Sequence, residues 1–280
     1  MTPRPGFRPT IRSWHKDARL TFGSRCIIRR RYAACHGAHG GTHKKLAEEN
    51  KPLWVFSTNH DVVAEMLAAK FSIPLKSGFK EKVTIGMGSG QGEAVEVNFE
   101  RLSRAAIATG DCDFFRPGEA GINLIKLHGS LDIFGQGDEL NYLKVASKDG
   151  SATSYVDQLQ LLEAVDLALA QNHGVRANNE HTYLDAQGEI QYLRNSLLSG
   201  AHKFSTRMTQ IAPPEFLSLF RASLNYASEL VSIGYGFGDQ HINEPMVDWL
   251  AQARPRRLTI VDPGISRWSG MAYRGVSHAQ

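Results

Sequence analysis

Apolar and polar positions alternate in blocks along most of this chain. Leu53 to Phe56 is an apolar run that stops abruptly at Ser57-Thr58-Asn59-His60-Asp61. Val62, Val63, Met66, Leu67 and Ala69 then recur at helical spacing and leave Glu65 and Lys70 on other faces. The pattern predicts a strand feeding a helix. A second strand is expected over Ile122 to Leu127, ending in a second polar corner, His128-Gly129-Ser130. The run "LVSIGYGFGD" predicts a third strand, a turn with glycines at 234, 236 and 238, and a helix that Asp239 can cap. "RRLTIVDPG" reads as a fourth buried strand ending at Asp262-Pro263-Gly264. Helical apolar spacing marks residues 155 to 170 and 214 to 230, with Pro214 suited to a first turn, so a helical region is expected over about 155–230. A short polar helix is expected in "THKKLAEENK". The glycine-bearing stretch over about 75–120 reads as hairpins or an irregular insert.

Near-continuous apolar strands alternating with helices predict an α/β fold, a Rossmann-like mostly parallel sheet with helices on both faces. Such sheets bind ligands beyond the C-terminal ends of their strands. The corners at 57–61, 128–130 and 234–239 all fall where a strand finishes, so their polar residues are expected to share one site.

Composition narrows the class. A chain of 280 residues with 42% apolar and 21% charged content can bury a substantial core as one large or two small domains. No run approaches the roughly eighteen apolar residues of a bilayer span, and the start does not read as a secretory signal, which predicts a cytoplasmic protein with no membrane partner. Cys26, Cys35 and Cys112 are odd in number and widely spaced, suggesting neither a disulfide framework nor a Cys-x-x-Cys zinc site. His36, His39 and His43 lack companion ligands at metal spacing, so no metal is expected. The net charge of +4 is uneven: residues 1–45 hold eleven Lys or Arg against Asp17 alone. That segment, broken by Pro3, Pro5 and Pro9, has no sustained period. It reads as a disordered arm, or as a nucleic-acid tail whose affinity would fall steeply with salt.

His128 is the candidate for acid–base chemistry, because imidazole titrates near neutrality. Gly129 beside it permits close backbone approach and Ser130 offers a hydroxyl. A structural histidine at a strand end is the plainer alternative. Asn59 supplies donors and an acceptor whereas ionised Asp61 only accepts, so together they can hold an amide or a ribose diol; N-capping explains one of them but not both. The 234–238 turn can offer main-chain N–H groups to phosphates, or simply turn the chain. "GMGSGQG" at 86–92 lacks the helix and acidic residue of a dinucleotide site and reads as a loop.

Taken together, "STNHD", "KLHGS" and "IGYGFGD", in this order, resemble the sirtuin-like family, in its zinc-free bacterial branch of NAD-consuming defence proteins. The resemblance spans roughly residues 43–264, within a domain expected over 46–264 and followed by a tail at 265–280. It implies a site that binds NAD as substrate and cleaves its nicotinamide–ribose bond. By that resemblance Asn59 contacts the ribose and positions water, His128 is the base, and Asp61 engages the carboxamide. Thr58, Gly234, Tyr235, Gly236 and Asp262 are likewise expected to line the NAD site. It further implies NAD or ADP-ribose as ligand and an activating partner protein or self-association. Two departures stand out. Residues 1–45 contain no Gly-Ala-Gly-x-Ser phosphate loop, which predicts a sheet lacking its first strand. The four zinc cysteines are also missing, which favours NAD hydrolysis over deacylation, while the missing phosphate loop favours the alternative, a catalytically weak or inactive NAD- or ADP-ribose-binding module or a fragment of such a protein.

Overall fold

The computed structural model describes residues 26–28, 52–90, 92–137, 140–174, 180–197, 215–252 and 256–261. The expected polar helix at 42–51, Asp262 and the 265–280 tail lie outside these residues, as does most of the basic segment.

The chain is α/β. Its first sheet runs in the order β12-β11-β1-β2-β6-β3, built from Cys26–Ile28 (β1), Leu53–Ser57 (β2), Leu75–Lys76 (β3), Ile122–Lys126 (β6), Glu229–Ile233 (β11) and Arg257–Val261 (β12). β2 and β3 both pair parallel to β6, and β11 pairs parallel to β12. β1 lies antiparallel between β2 and β11, with Cys26 opposite both Ser57 and Ile233. Two antiparallel steps restore direction, so the other five strands all end at one edge. Within the segment expected to be a disordered arm, Cys26–Ile28 instead fills the centre of the sheet, in the reverse direction.

A larger correction concerns the rest of the chain. Glu81–Met87 (β4), Val95–Ser103 (β5), Gly129–Gln136 (β7), Asn141–Val145 (β8), Glu180–Leu184 (β9) and Ile190–Leu197 (β10) form a second sheet, order β4-β5-β8-β7-β10-β9, antiparallel throughout. The fold is therefore not one mostly parallel sheet. The stretch at 75–120 is largely a regular hairpin registered from Glu81↔Arg101 to Met87↔Val95. The expected helical region is interrupted by the β9–β10 hairpin, whose turn is closed by Asp185 Oδ1 accepting from Gln187 N at 3.0 Å and Glu189 N at 2.9 Å. Strict apolar alternation fails here because several inward positions are polar: Thr182, Ser196, Asp132 and Lys144 are all buried.

The helices follow their apolar stripes. In Glu215–Leu224 (α4), Phe216, Phe220 and Leu224 are buried; in Gln240–Gln252 (α5), Ile242, Pro245, Met246 and Trp249 are buried. Both pack with Phe56, Ile125 and Leu230 into one core, and the Phe56 and Phe220 rings meet edge to face at 4.8 Å. Ala152–His173 (α3) buries Tyr155, Leu162 and Val165 against Val97, Phe99, Phe134 and Leu143 of the second sheet. Val63–Lys70 (α1) follows β2, and Arg104–Thr109 (α2) follows β5. Among the described residues no helix is long and apolar enough to cross a membrane.

A buried ionic network joins the two sheets. Lys144 of β8 bonds Asp132 of β7 and lies 3.1 Å from Glu65 of α1, whose other oxygen is 3.5 Å from Lys126 of β6. Tyr155 of α3 donates to Asp132 as well. Burial alone would raise the Asp132 carboxyl, but Lys144 outweighs it and holds the group below the ordinary range. Burial alone would lower the Lys144 ammonium, but Asp132 and Glu65 hold it above its ordinary range. Lys144→Met strands the buried Asp132 carboxylate and leaves Glu65 with Lys126 alone, and the expected cost is about 3–5 kcal/mol by urea denaturation near neutrality.

The signs of these shifts set the pH window. Asp132 is depressed, so its contribution is present above the unfolded value of about 3.9 and is lost as pH falls through the folded one. Lys144 is raised, so its contribution is present below about 10.4 and is lost only at higher pH. The stability difference between wild type and Lys144→Met should therefore hold across that interval and shrink below it.

Candidate functional site

The C-terminal ends of β2 and β6 are adjacent, because their parallel register sets Ser57 beside Lys126. The chain beyond β2 is fastened to the chain beyond β6 at four points. Leu127 N donates to Ser57 O at 2.8 Å and Leu131 N to His60 O at 2.9 Å. Ser130 Oγ donates to His60 O at 3.2 Å, and the Lys126 ammonium donates to Asp61 O. Thr58 is buried within this corner while Asn59, His60 and Asp61 are partly exposed. Asn59 Nδ2 donates to Asp61 Oδ2 at 3.1 Å, and Val63 N donates to Asp61 Oδ1 at 3.1 Å. Asp61 thus closes a local turn onto Val63 just ahead of Val62, the N-cap residue of α1, and orients the Asn59 amide at the same time. Neither Asn59 nor Asp61 is the N-cap of α1, which is Val62 without a side-chain cap; one Asp61 oxygen serves the turn and the other the amide.

His128 stands in the two-residue turn that leads from β6 into β7, the junction of the two sheets, and is 2% exposed. Its Nε2 lies 2.9 Å from Nε2 of His241, in the first turn of α5. The two rings are 5.1 Å apart, and the His60 ring is 6.4 Å from that of His128. Two imidazole nitrogens at this separation share one hydrogen, one donating and one accepting.

The third corner reaches the same edge from the other side. Gly234 takes φ +61° as the chain leaves β11, and Gly234 N donates to Val261 O at 2.8 Å. Because β1 separates β11 from β2, Gly234 starts roughly 10 Å from the end of β2, two strand spacings away. Gly236 is exposed. Tyr235 is buried, and its hydroxyl lies 3.1 Å from Asp239 O and 3.0 Å from Asn243 Oδ1. Its side chain is committed to fixing the start of α5. Phe237 at φ +51° is held by Asn243 Nδ2, which donates to its carbonyl at 2.7 Å. One nitrogen of each of His128 and His241 and a carboxylate oxygen of Asp239 all lie within 4.8 Å of one another.

The structure therefore brings Asn59, Asp61, His128 and the residues after Gly234 to one end of the parallel strands, with Thr58 inside the corner. His241 is not singled out by the sequence reading, and the contacts of Lys126 and Ser130 are not foreseen by it. Lys126 and Ser130 act through the backbone of 60–61, and such contacts leave no trace in spacing. His241 had a visible signal, a histidine two residues after the capping Asp239 at one of the three strand-end corners.

Chemically, the site pairs an oriented amide–carboxylate couple with a buried imidazole whose hydrogen bond leads to a partly exposed second one. The N-terminus of α5, with its positive end of the helix dipole, flanks them. Compared with family models and with curated proteins, the chain matches none.

Proposed function

We propose that this chain is an NAD glycohydrolase, cleaving NAD and water to ADP-ribose, nicotinamide and a proton, and depleting NAD in defence when a partner protein or self-association activates it. The observation that supports this most is the meeting of the Asn59–Asp61 couple with the His128–His241 pair beside the start of α5. That is the set of groups this reaction asks for. The bond from ribose C1′ to nicotinamide breaks with its electron pair leaving on the neutral base, and positive charge builds on the sugar as in glycoside cleavage. No strong acid is needed, since the leaving group departs uncharged. Orientation and a base are.

In this reading Asn59, its amide fixed by Asp61, orients the ribose and the attacking water. Asp61 accepts from the nicotinamide carboxamide with its remaining lone pairs. His128 takes the proton of the water as its oxygen bonds to C1′, and the 2.9 Å contact passes it towards the partly exposed His241 and solvent. Main-chain groups at 234–238 and the first turn of α5 face the phosphates. The reaction requires no metal.

Nicotinamide release from NAD by the purified chain tests the proposal. Asn59→Ala should lower turnover by about 10²- to 10⁴-fold, the range of a lost orienting or acid–base group. One observation favours a second reading. β1 runs antiparallel at the position where the resemblance calls for a parallel strand with a phosphate loop. A module that holds NAD or ADP-ribose without turnover fits that arrangement, and binding of NAD with no nicotinamide release under activating conditions would select it.

A further inference from the structure

We propose that His128, Asp239 and His241 form a binding site for a divalent transition-metal ion of the zinc class, and that filling it removes the His128 ring from hydrolysis. The second half rests on the NAD-hydrolase reading; the metal site itself does not. Two imidazole nitrogens face each other at 2.9 Å, and a carboxylate oxygen completes a triangle no side of which exceeds 4.8 Å.

An ion bound at the usual 2.0–2.1 Å to each nitrogen in tetrahedral geometry needs the two about 3.3 Å apart. The rings part by a few tenths of an ångström, and the Asp239 oxygen closes from its place within 4.8 Å of them to a like separation. His128 is fixed in a buried turn, whereas His241 and Asp239 sit on the partly exposed start of α5 and can supply that movement. The same exposure provides the way in, and it leaves a fourth position for water. In the complex each neutral ring carries its hydrogen on Nδ1 and gives its Nε2 lone pair to the ion; the ring that donated the shared hydrogen has it moved to its own Nδ1 by way of solvent.

The donor set decides the class. Two imidazoles with one carboxylate suit zinc, cobalt, nickel or iron(II), whereas calcium and magnesium prefer cages of oxygen. Ligands come from two separate elements, the β6–β7 turn and the start of α5, so the folded site gathers them before any ion arrives. A bound ion occupies His128 Nε2, the atom through which the proton would pass to His241, and fixes the ring's hydrogen on Nδ1 so that it no longer accepts one; it also crowds the start of α5 beside the phosphate-facing turn. Zinc should therefore inhibit.

The test uses the full chain freed of metal by chelation and titrated with cobalt(II) alone. The expected result is the intense visible absorption of a four-coordinate ion, saturating at one equivalent and displaced by zinc. His241→Gln, which keeps a polar side chain of similar reach, and Asp239→Asn should each weaken that binding by at least the ~10–100-fold that loss of even a supporting partner costs a metal site. Ions held by other histidines would persist unchanged in both variants. Weak six-coordinate spectra, or binding equal in wild type and His241→Gln, would overturn the site. Where wild type releases nicotinamide, zinc should stop it and a chelator restore it. Acceleration by zinc would overturn the inhibitory half, because the metal would then be supplying the nucleophile. A chain that binds cobalt as described but never releases nicotinamide under activating conditions retains the site and overturns its link to hydrolysis.

Discussion

His128→Ala is expected to slow nicotinamide release from NAD by about 10²- to 10⁴-fold, the usual consequence of removing a general base. The effect should appear in kcat. His128 is 2% exposed and linked to His241 rather than lying across a broad binding surface, so KM for NAD should move far less. Truncating a buried ring also opens a cavity, so a second variant is needed to separate chemistry from packing. His128→Gln retains a polar side chain with a donor and an acceptor but no group that titrates near neutrality. If His128 is the base, Gln should be nearly as slow as Ala while unfolding closer to the wild-type midpoint in urea. If Gln restores most of the rate, the ring only props the junction of the two sheets, and the base lies elsewhere. Full activity in both variants would refute the assignment outright.

The candidate site was more legible than the fold around it, and the reason is local. Ser57 to Asp61, His128 to Ser130 and Gly234 to Asp239 each sit where an apolar run ends, and a strand end in a parallel sheet faces the ligand edge whatever the remainder of the chain does. That inference needed only β2, β6 and β11, whose buried runs are strong signals. The second sheet depends on inward-facing polar residues that satisfy one another. Lys144, Asp132 and Glu65 are buried because they pair across three elements, Glu65 with a lysine 79 residues away, and no periodicity announces such partners. Likewise Cys26–Ile28 lies in a basic segment with no sustained pattern, and its three residues gain their place from β2 and β11 on either side. His241 was missed for a related reason. Its neighbour His128 is 113 residues away, and only the packing of α5 on the sheet brings the two rings together.

Gly129 marks a close backbone approach whose cause lies in the second sheet. The sequence suggests a glycine that lets a ligand come close to the backbone. In the structure φ is +79°, and the space a side chain would take is filled by the backbone of β10, so a Cβ there would overlap the Ser196 carbonyl oxygen. The close approach is made by the second sheet. Gly129→Ala should therefore meet two costs together: about 1–3 kcal/mol for an L-residue held at positive φ and about 1–3 kcal/mol for overpacking against backbone that has no flexible end to yield. Gly137→Ala separates them, because Gly137 has φ +62° with nothing within 4 Å of the added carbon. It should show the conformational cost alone. Urea unfolding of the two variants is the measurement, and the difference between them reports the contact with Ser196. Equal losses would mean that β10 moves aside freely and that the sheets are not locked at this point. The substitution also reaches the site, since Gly129 follows His128 directly and the displaced turn carries the imidazole away from His241. Under conditions where Gly129→Ala remains folded, nicotinamide release should fall with it, whereas Gly137→Ala, at the far end of β7, should leave the rate unchanged.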